Sequence, residues 1–207
     1  MVITYYGLAC LKVSFGDTVV AVNPIGKGHD VKSARFGADV ALISVPTEGF
    51  NGQEAVAFGS KEPFVIDGPG EYEYSGIFIK GYESVGPQDQ VNTIYSFLLE
   101  GIRVVHLGAL AVATLPPDVL EEISGADIVV APAGAEGSLP AKAAAKLAAS
   151  LESKIIIPVL FGDSKSGLLS EFLAEAGAAA RTPIDKLSVK KKDLEGQEAE
   201  IVVLQTT

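Results

Sequence analysis

Cysteine is almost missing from this chain. Cys10 stands alone among 207 residues, which excludes an internal disulfide framework and any multi-cysteine zinc site. Set between Ala9 and Leu11, it reads as a small buried hydrophobe rather than a reactive thiol. Histidine is nearly as scarce, with only His29 and His106. Basic charge is short as well: 16 Lys and Arg against 26 Asp and Glu leave a net charge of -10. That sign disfavours phosphate backbones and anionic lipids, so neither nucleic acid nor a membrane is an expected partner. The one basic run, Lys190-Lys191-Lys192, is followed by Asp193 and Glu195 and reads as a solvated turn or strand edge. No apolar run is long enough to cross a bilayer. Met1-Val2-Ile3 enters a strand-like pattern directly, without a basic start or separate apolar segment, so no secretory signal is expected and the expected location is cytoplasmic.

What the chain does have is material for a core. Hydrophobic residues make up 48% and charged residues 20%, a balance that argues against extended disorder. A chain of this size buries roughly 70% of its unfolded surface. Three short strands open it, Val2 to Tyr6, Cys10 to Phe15 and Thr18 to Val22, punctuated by Gly7 and Gly16-Asp17. Asn23-Pro24 ends the third, and the polar, Gly-rich stretch 26–32 that follows holds His29-Asp30 and reads as a solvent-exposed loop. Further strands are expected at Ala38 to Ser44, Phe64 to Ile66 and Ile77 to Lys80, with a tight turn over 67–71. Thr93 to Leu99 and Ile102 to His106 read as a hairpin through Glu100-Gly101. Helices are expected at Pro116 to Ile123, Pro140 to Leu151 capped by Ser138, and Leu168 to Ala176 capped by Ser166 and stopped by Gly177. Strands at Asp127 to Ala131, Lys154 to Leu160 and Glu200 to Gln205 complete the pattern. With no internal repeat and no linker, residues 1–207 read as a single domain. Its expected architecture is α/β, two mixed sheets covered on the outside by helices.

The stretch from Ala38 to Gly52 has the form of a site without its chemistry. Val40 to Ile43 form a buried strand running into a turn with Pro46, Gly49, Asn51 and Gly52, and loops at strand ends are where chemistry usually sits. This one offers Val45, Thr47, Gly49 and Phe50, none of them a good metal ligand or general base.

Tyr6 to Cys10, Asn23-Pro24, Ala38 to Gly52, Gly68 to Glu73, His106 to Ala109, Pro132 to Gly137 and Ile157 to Phe161 occur in the order seen in the metallo-β-lactamase-fold hydrolases, which the chain resembles over nearly its whole length. The closest likeness is to the branch that includes the ascorbate-phosphate lactonase-like proteins. The resemblance implies an αββα four-layer sandwich with a one- or two-metal hydrolytic site at the edge between the sheets. Its signature, T-H-x-H-x-D-H, falls on Ser44 to Phe50, so the ligands become Val45, Thr47, Gly49 and Phe50. The opening G-H-S/A-C pattern has Leu8 for its histidine. The bridging aspartate of H-x-G-D is Ala109, with His106 kept as the pattern's non-ligand histidine, and the late histidine is Leu160. A zinc site wants three or four converging His, Cys, Asp or Glu ligands, whereas Val45, Phe50 and Leu160 offer hydrocarbon. No metal and no cofactor are therefore expected.

The expected function is that of a catalytically inactive member of this fold with a binding or assembly role, its partner another protein, a second copy or a small molecule. Phe50 and its apolar loop are the expected exposed patch for such a partner. An alternative reading keeps hydrolysis on a different acid/base set, Asp67, Glu71, Glu73 and His106, and requires those groups to converge in a pocket. A further alternative is a phosphate or small-molecule binder using the turn from Gly134 to Ser138 ahead of a helix. Ser44 has no assigned histidine and carboxylate beside it, so a nucleophile triad is not expected.

Overall fold

The computed structural model describes residues 1–207 apart from Glu136, Ser164, Lys165, Ala179 and Ala180. The chain opens with β1 (Val2–Tyr5), β2 (Leu11–Phe15), β3 (Thr18–Val22), β4 (Val40–Leu42), the one-turn helix α1 (Gln53–Val56) and β5 (Phe64–Ile66). Long antiparallel strands follow: β6 (Gly70–Tyr74), β7 (Ile77–Val85), β8 (Val91–Leu99) and β9 (Ile102–His106). Strand and helix then alternate through α2 (Pro117–Ile123), β10 (Ile128–Pro132), α3 (Ala141–Ser150), β11 (Ile155–Val159) and α4 (Leu168–Glu175). Two short strands, β12 (Leu187–Ser188) and β13 (Glu200–Ile201), finish it.

These strands form two mixed sheets, ordered β12-β1-β2-β3-β4-β5 and β13-β11-β10-β9-β8-β7-β6. In the first, β1 to β3 are an antiparallel meander and β4 and β5 join in parallel. Every residue of β4 is buried because the strand is covered on both faces, as parallel strands require: Val40 and Leu42 enter the core between the sheets and Ala41 the opposite face. The second sheet is antiparallel from β6 to β9 and parallel from β9 through β10 and β11 to β13. The β8–β9 hairpin turns on Glu100 and Gly101, at φ 54° and 70°, the two left-handed residues that match the twist of antiparallel strands.

One hydrophobic cluster, running from Met1 to Leu204, fills the space between the sheets. A second packs α2, α3 and α4 onto the outer face of the second sheet through Val105, Val129 and Ile156. Outside the first sheet the cover is thinner. Val56 of α1 and Phe36 of the preceding irregular segment lie on Val19, Ala21 and Ala41. The architecture is thus a sandwich of two mixed sheets flanked by helices, with its outer layers unequal.

Some local expectations need correction. The turn expected over 67–71 is shorter, because Gly70 and Glu71 already belong to an edge strand, β6, and β7 runs on to Val85 because β8 pairs with it over its length. Ser138 does not cap α3: Pro140 holds the boundary, and the Ser138 hydroxyl donates to Ala135 O at 2.5 Å. Ser166 lies one residue before the α4 boundary at Gly167 and accepts from Leu168 N at 3.3 Å. The final strand shortens to Glu200–Ile201. No helix among the described residues is long and apolar enough to cross a membrane.

Candidate functional site

The residues that follow β4, β9 and β11 converge with the β1–β2 connection at one end of the sandwich, the carboxyl ends where open α/β sheets usually bind ligands. Side chains there are anchored by main-chain geometry. Leu160 N donates to Leu8 O at 2.8 Å, and the Tyr5 hydroxyl donates to the same oxygen at 2.8 Å. Leu8 and Leu160 are both left-handed, at φ 50° and 54°, a conformation that costs a branched residue ~1–3 kcal/mol. Across the seam between the sheets, Thr93 N donates to Ser44 O at 2.9 Å, and the Tyr95 hydroxyl lies 2.9 and 3.0 Å from Ile43 O and Ile66 O.

Asn92 and His106 brace the floor. Asn92 accepts from Ala109 N at 2.8 Å and donates to Leu107 O and Ser84 Oγ at 3.0 and 2.8 Å, using its whole amide. Only glycine fits at position 108: a β-carbon there would lie 2.2 Å from Asn92 Oδ1, and φ is 65°. His106 is fully buried; its Nδ1 accepts from Gly108 N at 2.9 Å, so Nε2 carries the proton and donates to Ala9 O at 3.2 Å. Burial lowers its pKa to about 4, against the weaker upward pull of the Ala9 bond. Cys10 is buried beside this floor, and desolvation pushes its thiol up to about 12, the behaviour of an inert structural cysteine.

The positions implied by the family's signature are here, filled with hydrocarbon. Val45, Phe50, Ala109 and Leu160 all belong to the cluster between the sheets, and Leu8 packs against it. Phe50 is 4% exposed, so it is a core residue and cannot supply the exposed apolar patch expected of it. A methyl group built on Gly49 would lie 3.3 Å from Leu8 Cδ1 and 3.6 Å from His29 Nε2. His29 is therefore half-buried against the site rather than free in solvent, carried there by the loop between β3 and β4. Pattern reading missed this because the contact is non-local and the loop's composition is that of any solvated turn. Beside these residues lies a pocket of about 230 Å³, whose polar lining is His29, Thr47, Glu48, Gln88 and Gln90.

The metal that the resemblance implies does not fit this donor set. Alkyl and aryl groups at 8, 45, 50, 109 and 160 cannot replace a cation's hydration shell, and Thr47 offers a single exposed hydroxyl. His29 Nδ1 accepts from Val31 N at 3.0 Å, which puts the proton on Nε2, the nitrogen that faces Gly49. Among the described residues no three His, Cys, Asp or Glu side chains gather where they could hold an ion.

The alternative sites fare differently from their sequence reading. Asp67, Glu71 and Glu73 are exposed to water, Glu71 pairing with Lys80 at 3.4 Å, whereas His106 is sealed in the core with both ring nitrogens committed. The four do not converge, because β6 is an edge strand whose acidic residues share its solvent face. In the turn from Gly134 to Ser138, Ala135 N donates to Leu160 O and Ser138 N to Ala135 O, which removes two of the donors an anion would need; Glu136 lies outside the described residues. Ser44 is 2% exposed, with no hydroxyl partner among the described residues and no histidine to activate it.

Known proteins agree with the fold. Residues 2–160 match the family model described as the β-lactamase superfamily domain. A structure from Thermotoga maritima, described as a candidate Zn-dependent hydrolase of the metallo-β-lactamase superfamily, superposes with a TM-score of 0.79 at 28% identity, covering 98% of this chain and 97% of that one. A candidate metal-dependent hydrolase from Parabacteroides distasonis gives 0.67 at 16% identity over 98% and 93% of the two chains. The metallo-hydrolase Igni18 from Ignicoccus hospitalis gives 0.63 at 13% over 91% and 99%, and at such identities the likeness is one of fold. No curated protein gives a significant match. By the match over most of its length, the chain belongs to the β-lactamase superfamily domain family, built on the metallo-β-lactamase fold.

Proposed function

We propose that this chain is a catalytically inactive, metal-free member of its superfamily that acts in the cytoplasm by binding, as a receptor for a small molecule or a component of an assembly. The observation that carries the reading is the hydrocarbon filling of the site: Val45, Phe50, Ala109 and Leu160, the residues at the positions where the resemblance implies ligands, are packed in the core. A divalent ion there would lose its water without gaining ligands. The pocket of about 230 Å³ beside the filling, with His29, Thr47, Glu48, Gln88 and Gln90 in its lining, supports a binding role.

Elemental analysis of the purified protein, repeated after incubation with zinc, manganese or ferrous iron and desalting, tests the first half. The expected result is far less than one metal per chain and a melting temperature unmoved by EDTA. Metal at near-unit occupancy that EDTA removes with a fall in stability overturns the reading. Turnover of ester, lactone or phosphodiester substrates by the purified chain overturns the second half, whether or not EDTA abolishes it.

A further inference from the structure

A second and larger cleft lies on the other side of His29. It has a volume of about 730 Å³, within the range of small-molecule sites, and its lining includes Tyr6, Lys27, His29, Lys32, Ser33 and Arg35. Its charge is opposite to that of the protein. The chain carries a net charge of -10, yet three of its 16 Lys and Arg residues face this one cleft and no aspartate or glutamate lines it. Among the described residues, Lys27, Lys32 and Arg35 form no ion pair; the lysines that do are elsewhere, at 61, 80, 142, 146, 154 and 191. Thr207 also lines the cleft and pairs with none of them. Glu54 accepts from Lys27 N at 3.2 Å and Glu48 lies beside Gly28, so carboxylates flank the Lys27 end of the group, but none of them pairs with the three cationic side chains, which repel one another across the cleft.

The loop that carries the cations is held in place. Ser33 Oγ donates to Ile25 O at 2.8 Å, and Val31 N donates to His29 Nδ1 at 3.0 Å. Phe36 is buried and stacks on Tyr6 with ring centroids 5.3 Å apart, and Lys12 Nζ lies over the Phe36 ring, 5.1 Å from its centroid. These anchors hold the main chain that carries Lys27, Lys32 and Arg35, so a ligand has only their side chains to order. The Tyr6 hydroxyl has no partner among the described residues, and the tautomer of His29 leaves an Nε2 proton to give.

We propose that this cleft binds a small, multiply charged anion, a polyphosphate or polycarboxylate group, through Lys27, Lys32 and Arg35. Arg35 supplies a planar fork that matches two oxygens of one phosphate or carboxylate, and the two lysines act as point charges on the groups beside it. A nucleic-acid polymer does not suit the site, because its phosphates would extend over the acidic remainder of the surface. The inference is independent of whether the neighbouring site holds a metal.

Isothermal titration calorimetry on the full chain tests it, with sodium tripolyphosphate, citrate and inorganic phosphate as titrants. Saturable one-to-one binding of tripolyphosphate or citrate, much weaker for inorganic phosphate and reduced above about 0.15 M salt, is the expected result. Lys32→Gln/Arg35→Gln weakens it by at least about tenfold, the loss of two charge-assisted contacts. Lys142→Gln/Lys146→Gln on α3, the same change of net charge at a distance, weakens it by less than about twofold. Binding of both polyanions assigns charge spacing as the determinant, and binding of tripolyphosphate alone assigns phosphate. Absence of saturable binding by either, or equal weakening in the two variants with their melting curves intact, overturns the proposal.

Discussion

Acidification should unfold this protein through His106 before most of its carboxylates respond. The imidazole is fully buried, and both nitrogens are committed to the neutral ring: Nδ1 receives the Gly108 N–H at 2.9 Å, and Nε2 gives its proton to Ala9 O at 3.2 Å. A second proton would have to enter at Nδ1, where it meets another donor. Desolvation therefore lowers the pKa from 6.5 to about 4. The sign follows from linkage. Between those two values the unfolded chain takes up a proton that the folded chain refuses, so the contribution of His106 is complete above 6.5 and is lost as the pH falls toward 4. At ~1.4 kcal/mol per unit, the loss is ~3 kcal/mol, a large share of the stability of a domain this size. Urea unfolding at a series of pH values from about 7.5 to about 4, on the wild type and on His106→Asn, isolates it. Asparagine can still accept from Gly108 N but does not titrate, and the carboxylates common to both proteins cancel in the difference. The wild type should lose ~3 kcal/mol more than the variant across that range. Parallel profiles, or a steeper loss in the variant, would refute the reasoning.

Two further substitutions address packing and charge. Phe50→Ala, in the filling of the site, should cost ~3–5 kcal/mol by denaturant unfolding, because the ring is 4% exposed and its neighbours can only partly close the void; a loss under about 1 kcal/mol would mean that the filling is loose. Asp127→Asn should cost ~2–3 kcal/mol. Its buried carboxylate holds Lys154 and Lys191 at 2.7 and 2.6 Å and accepts from Arg103 N at 2.9 Å, while both ammonium groups remain partly in water. Burial acts to raise the pKa of Asp127, but the bonds from Lys154 and Lys191 prevail and hold it below its ordinary value. Its contribution is thus present above that value and disappears only as the pH falls through the lowered one, so the two proteins should converge in stability under strong acid.

How much of this was legible in the sequence depends on the range of the interaction involved. The opening meander was readable because alternating burial and Gly punctuation are local signals, and Thr18–Val22 is found with the expected bounds. The start of β6 was obscured by its neighbours: Gly68-Pro69-Gly70 extended the expected turn to Glu71, although the spacing of Glu71 and Glu73 is that of one strand face. Expected helix starts moved because Pro140, with its fixed φ, sets the boundary that Ser138 was expected to cap. At the site, the residue types at 8, 45, 50, 109 and 160 could be read one by one, but their meeting in one cluster is a property of topology. The role of His29, and the cluster of unpaired cations around it, depend on how a long loop folds back beside Gly49 and Tyr6, and no periodicity encodes that.

The last short strands have a bearing on how the molecule assembles. β12 pairs with β1 at the edge of the first sheet, where Met1 and Val189 exchange main-chain hydrogen bonds, and β13 pairs with β11 at the edge of the second. A single C-terminal stretch therefore stitches both sheets, and Tyr5 pairs with Thr206 close by. Contacts so distant along the chain close slowly, since loop entropy is spent before any pairing rewards it. On the ribosome, β1 can pair with β2 early, but its other edge must wait for Leu187 and Ser188, far along the chain. Until then a nascent strand with an open edge is exposed to neighbours, which makes that interval the time when this chain most needs a chaperone.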